Sequence, residues 1–321
     1  MDFLANYFSS LNPMSFLSAL PGNIAQGIIW GLMGLGVFLT FKLLNFADLS
    51  VDGSFATGGA VTAVMLIKGC PVWATIIVAI LAGLAAGLVT GLLHTLLGIP
   101  DILAGILTQI ALYSINLNIM GKSNLPISYR NYTLVVSASN INMAILVGLG
   151  ICAVVVAAMY WYFGTEQGST IRSTGSNPAM SKAQGININF TKVIALALSN
   201  GLVALSGSLF AQYQGFADIN MGRGAIVIGL AAVIIGEVLG EAIFRKHMNF
   251  IIRMLFVIVG GILYYIAMGI VLWLKMPTDD TKLFTAIIVA IFLAVPYLQK
   301  KRNTSFKKVA KMNAKNAQKE G

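Results

Sequence analysis

Acidic side chains are scarce in this sequence, so those beside apolar runs are the first candidates for chemistry. The chain has 11 acidic residues, and an unpaired charge within a bilayer is strongly destabilising. Asp48 and Asp52 flank Leu49, Ser50 and Val51 at the point where one apolar run ends and the next begins. Two roles are open for these carboxylates. They can cap the free N–H groups of the following helix, or they can line a gate or pathway through a membrane.

No catalytic set accompanies the carboxylates. The two histidines, His94 and His247, are far apart and have no matching metal ligands nearby in the sequence. No GxxxxGK[ST], GxSxG or HExxH motif is present, and Cys70 and Cys152 indicate neither a disulfide framework nor a metal site. We therefore predict that the chain is not an enzyme and holds no cofactor. Active transport would need a partner or an ion gradient as its source of energy.

The first carboxylate belongs to an internal repeat. Phe46–Ser50 (FADLS) recurs as Phe216–Asn220 (FADIN), and Gly31-Leu32 upstream matches Gly201-Leu202 at the same offset. The apolar pattern places an odd number of spans between the two copies, so the copies would cross the bilayer in opposite directions. Inverted repeats of this kind surround a central pathway, which makes Asp218 a second candidate. Chance similarity in a sequence rich in Ala and Gly is the alternative.

One internal stretch of about 25 residues, from Gly164 to Asn189, is polar, although apolar runs flank it. Within it, Gly175–Pro178 predicts a turn, Ala179–Gln184 predicts a short helix, and Gly185 predicts the end of that helix. A surface helix of two turns is unstable alone, so Met180 and its neighbours need a surface to pack on. The stretch is either a docking helix or an ordinary solvated loop.

Composition determines the class of protein that positions these residues. The chain is 57% hydrophobic and 10% charged, which excludes a soluble globular domain and predicts an all-α polytopic membrane protein. We predict an interfacial segment at residues 1–20, a membrane domain at 21–299 with a cytoplasmic loop at 164–189, and a basic tail at 300–321. Nine spans are predicted, at residues 24–44, 54–67, 71–97, 102–120, 142–163, 190–213, 225–243, 250–274 and 282–299.

Basic residues predict the orientation of the chain in the membrane. Eight of the 21 lysines and arginines lie from Lys300 onward, which indicates a cytoplasmic C-terminus near anionic lipid rather than a nucleic-acid-binding tail. Stepping back along the spans places Gly164–Asn189 on the cytoplasmic side and the N-terminus outside. If residues 45–67 only re-enter the membrane, the N-terminus moves inside. The expected location is the plasma membrane.

Several polar residues lie within the predicted spans and can face a polar lumen or form hydrogen bonds between helices. For each one alone, hydrogen bonding between helices is the favoured interpretation. These residues are Gln26, Gln109, Asn116, Asn118, Ser199, Asn200, Gln212 and Gln214.

Three motifs together give the sequence a family resemblance. Asn45–Gly53, the loop from Arg172 to Ile186, and Ser206–Leu209 resemble the permease subunits of ATP-binding cassette importers, in the branch that includes branched-chain amino acid and ribose permeases. The nearest likeness is to permeases of the tryptophan and tyrosine type. Branched-chain relatives usually carry His-Gly-Glu where this chain has Asp48-Leu49-Ser50, whereas sugar relatives carry Asp-Leu-Ser.

The resemblance implies a set of partners. Two permease subunits, expected to be identical copies, would form the pathway. Two cytoplasmic ATPase subunits would bind ATP, and an extracellular binding protein or lipoprotein would deliver the solute. The solute implied is an aromatic or branched-chain amino acid; a sugar or nucleoside permease and an ion-coupled secondary transporter are the alternatives. The residues assigned to ATPase coupling are Arg172, Gly175, Asn177, Pro178, Met180 and Gly185. The residues assigned to the pathway or gate are Asn45, Asp48, Ser50, Asp52, Gln109 and Asp218.

Overall fold

The protein is a bundle of helices in which one small sheet joins two loops. The computed structural model describes residues 13–129, 132, 134–244, 248–274, 283–292 and 294. The helices are α1 (Pro13–Val37, continued by a π-helical segment, Phe38–Leu43), α2 (Val51–Ile67), α3 (Val72–Leu96), α4 (Asp101–Met120), α5 (Ile141–Gly164), α6 (Glu166–Ser176), α7 (Pro178–Ala183), α8 (Ile188–Gln214), α9 (Ala225–Phe244), α10 (Phe250–Trp273) and α11 (Leu283–Phe292).

Most of the predicted spans correspond to long apolar helices. Seven helices in the described part of the chain are long and apolar enough to cross a bilayer, namely α1, α3, α4, α5, α8, α9 and α10. The helices α2 and α11 are apolar but shorter. The polytopic class is therefore confirmed, while the count of nine spans stays a prediction because the predicted last span extends past the described residues.

The two ends of the predicted domain plan can be compared only in part. α1 begins at Pro13, so residues 13–20 of the predicted interfacial segment are the first turns of a long helix. Residues 1–12 and the basic tail at 300–321 lie outside the described residues. The helix begins before the predicted apolar span does. Its first turns leave Met14 and Leu17 largely exposed, so this part of α1 is helical without burial of those side chains.

The first helix of each repeat, α1 and α8, pack side by side in opposite directions. Three hydroxyl groups on α8 donate hydrogen bonds to carbonyl oxygens of α1, and the residue numbers rise along one helix as they fall along the other. The bonds are Tyr213 Oη to Gly22 O at 3.4 Å, Ser206 Oγ to Ile29 O at 2.7 Å and Ser199 Oγ to Gly36 O at 2.8 Å.

The helix α3 also runs antiparallel to α8, along a seam of glycines. A Cβ atom on Gly83 would meet the backbone of Asn200, and one on Gly91 would meet Val193. Small residues allow helix backbones in membranes to approach this closely. Because α1 and α3 are both antiparallel to α8, they run in the same direction, and α2 must carry the chain back between them. At 17 residues, α2 spans about 25 Å, so the geometry favours a crossing for residues 45–67.

A two-stranded sheet departs from the all-α prediction. β1 (Asn124–Pro126) pairs antiparallel with β2 (Phe216–Asp218), with Leu125 opposite Ala217. The chain is extended at β1 because α4 ends at Gly121, whose φ of 68° stops the helix. The loop after α4 is thereby tied to the second copy of the repeat motif.

Candidate functional site

The polar stretch after α5 forms two short helices rather than one. Thr165 caps α6 by accepting the Gly168 N–H at 3.4 Å, and Asn177 caps α7 by accepting the Met180 N–H at 3.1 Å. Gly185 follows α7 with a φ of 83°, which confirms the predicted helix stop. The turn predicted at Gly175–Pro178 is wrong for its first two residues, because α6 continues through Ser176.

The helix α6 is fixed to the membrane bundle. A Cβ atom on Gly175 would overlap the backbone of Leu43 and Leu44, where α1 ends. The Arg172 guanidinium donates a hydrogen bond to the Phe163 carbonyl oxygen at 2.9 Å and lies 5.8 Å from the centroid of the Phe250 ring. The contact between α6 and the end of α1 therefore requires a residue without a side chain at position 175.

The helix α7, in contrast, projects from the bundle. Five of its six residues are exposed, Ser181 being the buried one, and Met180 exposes 58% of its surface. Pro178 occupies the first turn of α7, where a missing N–H costs no hydrogen bond. A projecting helix on a fixed base is suited to contact with another protein.

In the first repeat motif, which follows the end of α1, Asp48 is buried. Its side chain accepts hydrogen bonds from the Ser50 N–H at 2.9 Å and from the Asn200 amide at 2.7 Å. The Ser50 hydroxyl lies 2.5 Å from the same carboxylate. Asn45, just upstream, has a φ of 55°, a conformation that Asn tolerates better than most residues. Asp48 thus joins the first motif to α8 rather than capping α2.

The carboxylate of Asp52 caps a helix of the other repeat. It accepts the N–H groups of Gly224 and Ile226, each at 2.8 Å, at the start of α9. Asp52 itself lies in the first turn of α2. The predicted capping role is correct in kind, but the helix that Asp52 caps begins more than 170 residues later in the sequence.

Asp218 repeats the local geometry of Asp48. Its carboxylate accepts the Asn220 N–H at 2.7 Å, just as Asp48 accepts the Ser50 N–H. Asn124 on β1 donates a second hydrogen bond to Asp218 at 3.3 Å. The two copies of the motif therefore fold into the same turn, although Asp218 is half-buried and Asp48 is fully buried.

A cavity of about 330 Å³ lies between α2, α4 and the end of the second repeat motif. It brings together Asp52 and Gln109 from the predicted pathway set, whereas Asp48 and Ser50 form the separate buried cluster with Asn200. The lining residues are Asp52, Gly53, Ala56, Gln109, Ile110, Tyr113, Ser114, Asn116, Ile219, Asn220 and Arg223.

The family can be assigned from the sequence match that accompanies this architecture. Residues 22–296 match the family described as the permease component of the branched-chain amino acid transport system. The chain belongs to this permease family. The match covers both repeat motifs, the polar segment at residues 164–189 and the residues that line the cavity.

Two relatives and one solved structure are similar to this permease. It is 42% identical to a tyrosine transport system permease protein of Clostridioides difficile, over 93% of this chain and 99% of the relative. It is 26% identical to a D-allose transport system permease protein of Escherichia coli, over 80% and 77% of the two chains. The structure of PsaBC from Streptococcus pneumoniae in complex with Fab shares its fold, with a TM-score of 0.52, 16% identity, and 91% and 94% coverage.

Sequence reasoning missed two features of the permease site. Asn200 was expected to bond between helices, but its partner Asp48 could not be named because 152 residues separate them. The motifs of the sequence do not point to Arg223, although it lies only three residues after the second repeat motif, in a sequence with few charges.

Proposed function

We propose that this permease is the membrane-spanning subunit of an ATP-binding cassette importer that carries an aromatic or branched-chain amino acid across the plasma membrane. The observation that carries the proposal is the polar stretch at residues 164–189, which we name the coupling segment. In it, the exposed helix α7 is joined through α6 to the end of α1. ATP would be bound and hydrolysed by a partner subunit at α7. An extracellular binding protein would deliver the solute from the opposite side.

The contacts of Gly175 supply a route from the ATPase to the pathway. Gly175 lies against Leu43 and Leu44, and Asn45 and Asp48 follow within a few residues. Movement of α7 toward an ATPase dimer as it closes would shift α6, and α6 would displace the end of α1 together with the first repeat motif. The antiparallel packing of α1 and α8 supports two inverted halves that rock around a central pathway.

The exposed face of α4 supports assembly with a second copy. α4 is among the helices that could cross the membrane, yet its surface carries Ser114, Asn118 and 47% of Tyr113. Polar groups of this kind are unfavourable against lipid and are suited to a water-filled pathway or to another protein. We propose that two identical permeases meet near α4 and enclose the pathway.

The solute assignment rests on the relatives and on the charges of the cavity. The relative at 42% identity is named for tyrosine and the relative at 26% for D-allose. The higher identity over nearly the full length of both chains favours an amino acid. A sugar importer is the second candidate, supported by the allose relative and by the Asp48-Leu49-Ser50 motif that resembles sugar permeases.

The proposed ATPase contact is tested by Met180→Gln in the complex reconstituted with its ATPase and binding protein. Loss of an apolar contact at the centre of an interface should lower ATP-driven uptake roughly fivefold to tenfold. Met143→Gln is the matched control, because Met143 is a similarly exposed methionine, 54% accessible, at the opposite end of α5. Uptake that needs no ATPase, or that Met180→Gln leaves unchanged, would contradict the importer assignment.

A further inference from the structure

The cavity between α2, α4 and the second repeat motif contains one charge of each sign. Asp52 lines it from α2 and Arg223 lines it from the loop after β2. Within the described part of the chain, the ion pairs are those of Glu237 with Lys42 and Arg253, so Asp52 and Arg223 are not paired with each other. A cavity of about 330 Å³ is within the size range of small-molecule sites.

The two charges are held in different ways. The Asp52 carboxylate is fixed by two N–H groups at the start of α9, and each of its oxygens keeps a lone pair for a further donor. Arg223 is exposed and lines the cavity, and a guanidinium presents a planar array of donors that matches a carboxylate.

A third polar group lies in the same wall. Asn116 is 1% exposed, and neither its amide nitrogen nor its amide oxygen has a hydrogen-bond partner among the described residues. A buried amide without a partner is destabilising, and Asn116 lines this cavity. A ligand that both donates and accepts hydrogen bonds would satisfy it.

We propose that this cavity binds the main-chain groups of a zwitterionic amino acid on its way through the permease. Arg223 binds the carboxylate, Asp52 binds the ammonium group, and Asn116 bonds to either one. The side chain of the solute packs against Tyr113 and Ile110, which give the cavity apolar surface. The inference rests on the proposed transport function and adds to it a solute site within the membrane subunit.

Charge complementarity separates an amino acid from a sugar at this site. A sugar offers neutral hydroxyl groups and gains little from separated opposite charges, whereas a zwitterion presents one group of each sign. The hydrogen bonds between a charged ligand and a charged side chain are stronger than neutral ones. The cavity should therefore bind an amino acid in preference to its decarboxylated amine.

The test measures direct binding to the full-length permease in lipid nanodiscs, without the binding protein. Saturation-transfer NMR with L-tyrosine, tyramine and D-ribose as probes should show binding of L-tyrosine alone. Arg223→Gln and Asn116→Leu should each weaken L-tyrosine binding by roughly tenfold to a hundredfold. Asn140→Leu, an exposed asparagine just before α5 that neither caps that helix with its side chain nor lines the cavity, should leave binding unchanged.

Several outcomes would overturn the inference. Equal binding of tyramine and L-tyrosine, binding of D-ribose instead, or unaltered L-tyrosine binding by Arg223→Gln would each do so. Arg223 is exposed, so its replacement should not prevent folding. ATP-driven uptake by the wild-type complex is measured in parallel. Uptake without the predicted binding refutes the cavity site alone, whereas loss of ATP dependence refutes the importer function.

Discussion

At the scale of single residues, several buried polar groups in this bundle have hydrogen-bond partners that are distant in sequence. Asp48 bonds with Asn200, and Ser199 and Ser206 bond with carbonyl oxygens of α1. Each such bond satisfies a buried polar group that water cannot reach. The same requirement explains why Asp48 and Asp218, which make the same turn, should differ in energetic importance: only Asp48 is fully buried.

Asp48→Ala should destabilise the permease more than Asp218→Ala does. The first change leaves the Ser50 N–H and one hydrogen of the Asn200 amide without an acceptor in a buried site, at a cost of about 1–3 kcal/mol. The second change exposes the Asn220 N–H to water, because Asp218 is half-buried. Thermal unfolding of the purified variants in detergent, followed by tryptophan fluorescence, measures the difference. Equal losses of apparent Tm would contradict the burial argument.

At the scale of elements, close helix contacts depend on glycines at defined positions. Gly83 and Gly91 allow α3 to lie against α8, and Gly175 allows α6 to lie against the end of α1. The contacts of Gly83 and Gly91 show that α3 runs antiparallel to α8, so α2 must cross between α1 and α3. The contact of Gly175 joins the coupling segment to the first repeat motif. A larger residue at any of these glycines would force the packed helices apart.

Gly175→Ala should uncouple ATP hydrolysis from solute uptake. The added Cβ overlaps the Leu43 carbonyl oxygen, so α6 must move away from the end of α1, while the exposed surface of α7 is unchanged. Uptake per ATP hydrolysed, measured in proteoliposomes, should fall severalfold. Gly150→Ala is the control, because no atom lies within 4 Å of its Cβ position on α5. A normal ratio in Gly175→Ala would show that this contact does not transmit movement.

At the scale of the whole molecule, the functional elements lie at opposite ends of the bundle. The coupling segment follows the C-terminal end of α5, and the loop that precedes α5 leads into its other end. The strand β1 lies in the loop that precedes α5 and pairs with β2, and β2 is followed directly by the cavity-lining residues Ile219 and Asn220. The sheet and the cavity are therefore close to that other end. In the proposed importer, this separation would put the ATPase contact at one end of the bundle and the solute cavity toward the other.

Cysteine labelling should place these two ends on opposite sides of the membrane. In a Cys70→Ser, Cys152→Ala background, Ser139→Cys should react with a membrane-impermeant maleimide in intact cells. Gln184→Cys should react only after the cells are permeabilised. Both residues are exposed, so accessibility within the fold does not bias the comparison. Labelling of Gln184→Cys in intact cells would reverse the predicted orientation.

Some of this architecture followed from the sequence alone. Hydropathy gave the membrane class and the position of most helices, and local turn residues gave the turn at Asn177-Pro178 and the stop at Gly185. The two copies of the repeated motif share one local hydrogen bond, because Asp48 accepts the Ser50 N–H and Asp218 accepts the Asn220 N–H. These features depend on residues within a few positions of one another, which is why pattern and propensity were sufficient.

The tertiary structure decided which distant groups meet. Only packing brings Asp52 to the start of α9, Asn200 to Asp48, and Arg223 to the cavity beside Asn116. Only packing shows that Gly175 belongs to a helix. The physical reason is that hydropathy and turn chemistry act locally, whereas these contacts depend on the directions and distances of helices whose sequences are 100 or more residues apart.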